Sequence, residues 1–128
     1  MQRKYSNSAT KIFEVNYNFI LKRLIEYGNN SLKNGSLLTI LIGSLARGDY
    51  TPFSDADVII ITDSKKSETV FMDPRMPVDI EPRVYTLDEI YKMAKDKRKI
   101  IEEIIKYGKV LAGNTDIFNS IIKFYKMD

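Results

Sequence analysis

No histidine, cysteine or tryptophan occurs among the 128 residues. Without cysteine or histidine the chain on its own cannot build a zinc finger, a thiolate-ligated haem, an iron–sulfur cluster, a disulfide scaffold, a cysteine nucleophile or a Ser-His-Asp triad. Long apolar runs are missing too: Leu37–Ile42 and Val58–Ile61 fall far short of the roughly 20 residues that cross a bilayer as a helix. The opening MQRKYSNSATK has no apolar core of a secretory signal. We therefore expect a cytoplasmic protein with no membrane partner. Its chemistry must run on carboxylates, hydroxyls, Lys/Arg and backbone amides, a donor set that suits hard cations such as Mg²⁺ or Mn²⁺.

The length fits one domain, residues 1–128. The net charge of +3 says little, but its distribution says more. Residues 1–35 carry six basic and two acidic side chains, whereas residues 36–63 hold Arg47 alone against Asp49, Asp55, Asp57 and Asp63. An acidic segment inside a basic chain is a candidate cation site.

Residues 9–27 read as an amphipathic helix with Phe13, Tyr17, Ile20, Leu21 and Leu24 on one face and Lys11, Glu14, Lys22 and Glu26 off it. Gly28-Asn29-Asn30 should stop it. Leu37–Ile42 is short, apolar and followed by glycine, hence a buried strand. Gly43–Ser54 should be a loop with a helical turn or two, and Asp55–Thr62 a second strand. Val78–Tyr85 is a third strand candidate, which Pro82 restricts to an edge or bulge. Thr86-Leu87-Asp88-Glu89 matches a capping box opening a long helix to about Tyr107, its stripe interrupted by Lys97-Arg98. A brief extended piece, Lys109–Leu111, and a helix over 115–126 complete the chain. The expected fold is α/β (α+β), two-layer, with a small mixed sheet of three to four strands and helices packed on one face.

Chemistry concentrates in one stretch. Gly43-Ser44 ends a buried strand and could open a helical turn, where close backbone approach, a hydroxyl and the turn's N–H groups would cradle a phosphate. Asp55 and Asp57, two apart on a strand, share a face about 6.6 Å apart and could converge on one or two divalent cations. Asp79 and Glu81 repeat that spacing on the next strand, and either could complete the set. Alone, a Gly-Ser is an ordinary turn and a D-x-D an ordinary solvated strand start; the combination overturns those readings. The basic run Lys95–Lys99 reads as a solvated helix face, so nucleic acid is not the expected partner.

Gly43-Ser44, ten residues and Asp55-x-Asp57, with Ala46-Arg47-Gly48 and Ser54 between, resemble the GSxARG…SD-x-D signature of the minimal nucleotidyltransferases, in the polymerase-beta-type superfamily. The likeness runs in outline over residues 10–112. It implies that Gly43 and Ser44 hold the triphosphate of ATP or another nucleoside triphosphate, with Arg47 assisting or bracing the turn. It implies that Asp55, Asp57 and one of Asp79 or Glu81 ligate two Mg²⁺ ions while a hydroxyl attacks the α-phosphate and pyrophosphate leaves. Relatives this small often serve as the antitoxin of a toxin–antitoxin pair and modify a tyrosine of a HEPN-family partner with AMP. A nucleotide-binding or toxin-masking protein without turnover is the alternative, and a homo-oligomer is left open. The Asp57-to-Asp79 connection is shorter than such relatives usually have, so a parallel crossover and a hairpin both stay open.

Overall fold

The computed structural model describes residues 2–127, with side chains from Tyr17 onward. A long helix, α1 (Gln2–Lys33), leads into β1 (Ser36–Ile42) and a one-turn helix, α2 (Ser44–Arg47). β2 (Ala56–Thr62), a 3₁₀ turn (Glu68–Phe71) and β3 (Ile80–Thr86) follow. The chain ends with α3 (Leu87–Lys95), α4 (Lys99–Tyr107), β4 (Lys109–Gly113) and α5 (Thr115–Lys126). The sheet order is β3-β2-β1-β4; β1 is antiparallel to β2 and β4, and β2 is parallel to β3. Residues 63–79 are therefore a crossover, and β3 with its Pro82 lies at an edge.

The α/β class and the small mixed sheet are as expected, but helices cover both faces of the sheet. Ile20, Leu24 and Tyr27 of α1 pack with Leu41, Val58, Ile60 and Val84. On the other face Ile90, Ala94, Ile101, Ile104, Ile117 and Ile121 of α3, α4 and α5 pack with Leu38, Ile40, Ile59 and Ile61. The reason lies in β2: Val58–Ile61 is apolar at every position, and alternating side chains then need cover on both sides. Each such isoleucine contributes about 1.5–3 kcal/mol over an exposed one.

Two helix boundaries differ from the periodicity. α1 does not stop at Gly28. A Cβ there would lie 2.8 Å from the Leu111 Cβ and 3.2 Å from the Ala112 Cβ, so this glycine lets the helix lie close against β4. The turn that ends α1 is Asn34-Gly35, where Gly35 takes φ +104. Phe13 of the expected apolar stripe, and Lys11 and Glu14 of the polar face, lie outside the residues with described side chains. The long helix after β3 breaks into α3 and α4 at residues 96–98. Lys97 adopts φ +55, Arg98 N–H donates to Met93 O and Lys97 N–H to Ala94 O, which is a Schellman stop with lysine in glycine's place. The break lets Ile101 and Ile104 resume a buried face without burying Lys97 and Arg98. Both arms of the Thr86–Glu89 capping box form. Val70 and Phe71 belong to the 3₁₀ turn, and Met72 follows at its exit. Phe71 is buried there, and its carbonyl accepts from the Tyr27 hydroxyl at 2.6 Å.

Candidate active site

Antiparallel pairing brings the C-terminal end of β1 beside the N-terminal end of β2, with Ile42 opposite Asp57. Gly43 therefore emerges next to the D-x-D. Its φ of 77° and ψ of −162° belong to a region that is essentially glycine's alone. A Cβ built there would collide with the Asp57 carboxylate. Glycine is required twice over, by the backbone angle and by the closeness of the acid. Ser44 opens α2, half-buried, while Leu45 and Ala46 anchor the turn in the core.

Parallel pairing of β2 with β3 sets Asp57 opposite Glu81. Asp55, two residues before Asp57, comes to the same place: repulsion from Asp57 first, then from Asp55, holds the Glu81 carboxyl above the usual carboxylate range. Asp79 stands outside β3, where its backbone carbonyl accepts from Ala56 N–H at 2.8 Å. Of the two candidates for a third acid, the register thus gathers Glu81 with Asp57 and leaves Asp79 at the strand's entry.

The loop between these motifs is braced on three sides. Arg47 pairs with Asp49 at 3.3 Å and with Glu103 of α4, and these carboxylates, Asp49 foremost, hold the guanidinium firmly charged. The pair with Glu103 ties the turn to α4. Tyr50 stacks on Tyr17 of α1 with centroids 4.5 Å apart, and the Tyr17 hydroxyl donates to Leu45 O at 3.0 Å. Thr51 N–H donates to Ser54 Oγ at 2.8 Å and Phe53 N–H to Thr51 Oγ1 at 3.2 Å. That turn leaves Phe53 91% exposed just before the acids. Sequence reasoning passed over Glu103, Tyr17 and Tyr50 as site supports, because their partners are distant in the chain.

The donor set suits a hard divalent cation, since three carboxylates and no imidazole or thiolate meet here. Among the described residues no three acidic side chains form a closed ligand set. The crowding felt by Glu81 is what a cation would relieve. A concavity of about 430 Å³ lined by Tyr27, Asn30, Phe71 and Asp73 lies at the other end of the sheet, away from these acids. No helix among the described residues is long and apolar enough to cross a membrane.

A Gly-Ser turn and clustered carboxylates thus meet at one end of a mixed sheet. The chain belongs to the nucleotidyltransferase domain family, whose model matches residues 21–124. A search of curated proteins returns no match. Among solved structures it is similar to a chain in a crystal structure of a toxin-antitoxin with AMP-PNP. The TM-score is 0.56 at 15% identity, covering 78% of this chain and 82% of that one. At that identity the likeness is one of fold.

Proposed function

We propose that this chain, a single domain, is a divalent-metal-dependent nucleotidyltransferase that moves AMP from ATP to a hydroxyl of a partner protein, as the antitoxin of a two-protein pair. The observation that carries this reading is the register: Gly43 packs against Asp57, and Asp57 lies opposite Glu81. Phosphate cradle and carboxylates thus share one corner of the fold. Asp55, Asp57 and Glu81 would hold the metal, whose charge would offset that of the triphosphate and lower the acceptor's pKa. Gly43 and the first N–H groups of α2 would orient the phosphates, and Arg47 with Glu103 would keep that turn fixed. The antitoxin role draws support from the similar toxin-antitoxin structure; a HEPN-type partner presenting a tyrosine rests on the resemblance of the motif alone.

That no three acidic side chains among the described residues form a closed ligand set favours one alternative, a nucleotide-binding or masking protein without turnover. Incubation with labelled ATP, Mg²⁺ and the co-purified partner separates the two. The enzyme transfers label, and Asp55→Asn or Asp57→Asn reduces transfer by at least about a hundredfold, a loss of the size seen when one transition-state charge stabiliser is removed. Neutralisation of a toxin that survives both substitutions identifies the masking protein.

A further inference from the structure

Glu81, Arg83 and Tyr85 alternate onto the face of β3 that continues the one carrying Asp57, because Asp57, Ile59 and Ile61 pair with them in register. Arg83 thus starts one two-residue step, about 6.6 Å, beyond the third acid. The turn between α3 and α4 lies over it. Together they border an open concavity of about 500 Å³, to which Arg83, Arg98 and Lys99 bring positive charge and Tyr85, Met93 and Ile100 bring apolar surface. Lys97 also lines it, but its ammonium donates to Tyr125 O and, at 3.1 Å, to Met127 O, so it ties α5 to the turn. Among the described residues no carboxylate pairs with Arg83, Arg98 or Lys99. Three cations around one concavity repel one another, and an anionic guest relieves that repulsion.

The guest's class follows from the surroundings. A nucleic acid needs an extended basic track for its phosphates, and here the track would run onto Asp55, Asp57 and Glu81 after a single step. A few side chains with localised negative charge and apolar stems fit the volume and its mixed lining. We propose that this concavity docks a short acidic segment of a partner protein beside the three acids. That the segment also carries the acceptor hydroxyl rests on the nucleotidyltransferase reading; the docking does not.

The test uses the full chain without metal or nucleotide and reads fluorescence anisotropy of a labelled Glu/Ser peptide. A Lys/Ser peptide and a single-stranded RNA oligonucleotide serve as comparison probes. The Glu/Ser peptide binds, more weakly as salt rises, and the Lys/Ser peptide does not. Arg83→Glu with Arg98→Glu weakens binding about tenfold or more. Arg98→Glu alone, at an exposed position, gives a smaller loss in the same direction. Lys95→Glu, outside the concavity, changes little. Unchanged binding in the double variant, or RNA that binds more tightly and displaces the peptide, overturns the proposal. Peptide binding in a protein that transfers no label from ATP upholds the docking while the nucleotidyltransferase reading falls.

Discussion

Replacing Gly43 and Gly48 by alanine, separately, tests whether the Gly-Ser turn is shaped by its neighbour Asp57. Both glycines have positive φ, but their surroundings differ. At Gly43 the backbone sits where a side chain costs about 1–3 kcal/mol, and the added methyl meets the Asp57 carboxylate. Overpacking of that kind adds about 1–3 kcal/mol. At Gly48, φ 92° and ψ 2° are left-handed helical, and a Cβ would meet nothing within 4 Å. Only the left-handed penalty of about 1–2 kcal/mol applies there. With a urea slope of about 2 kcal/mol per molar, Gly43→Ala lowers the unfolding midpoint by about 1–3 M and Gly48→Ala by about 0.5–1 M. Urea melts followed by circular dichroism read both. A second set of melts with saturating Mg²⁺ and ATP reads the site: Gly48→Ala keeps the ligand-induced shift, and Gly43→Ala, with Asp57 displaced, loses it. Equal midpoint losses, or a full ligand shift in Gly43→Ala, would refute the idea that the glycine is there for the acid.

Glu81→Gln probes the carboxylate cluster. Asp57 and Asp55 raise the folded-state pKa of Glu81 above the unfolded value, so its contribution to stability is present in acid and lost as pH rises through the folded value. The metal-free variant therefore melts higher than the wild type at neutral pH and equally below about pH 4, while Mg²⁺ stabilises the wild type more; identical neutral melts would remove the cluster. Tyr27→Phe removes the buried bond to Phe71 O and costs about 1–2 kcal/mol. Burial pushes that phenol up to about 12, above the unfolded value near 10. The wild type's advantage over Tyr27→Phe is thus complete below pH 10 and shrinks as pH climbs to about 12; a constant gap across that range contradicts the burial.

Local chemistry made much of the molecule legible. The apolar runs of β1 and β2, the Thr86 capping box, the last helix and the Gly43-Ser44 and Asp55-x-Asp57 motifs all depend on residues near one another in sequence. Local pattern pointed to helices on one face of the sheet only, whereas the apolar positions on both sides of β2 are covered by α1 on one face and by α3, α4 and α5 on the other. What the sequence left open concerns partners distant in the chain. Asp79 and Glu81 lie two apart and carry similar charge, and only the register of β3 on β2 sets Glu81 opposite Asp57, since a two-residue shift would keep the face and bring Asp79 there instead. Gly28 looks like a helix terminator until Leu111 and Ala112 arrive from the far end of the chain to need the space its missing Cβ leaves. Arg47 finds Glu103, and Arg83 finds Arg98 and Lys99, only once α3 and α4 have folded back over the sheet. The sequence by itself determined which groups the chemistry can use; the tertiary structure decided which of them meet, because register and helix packing join residues that no local preference connects.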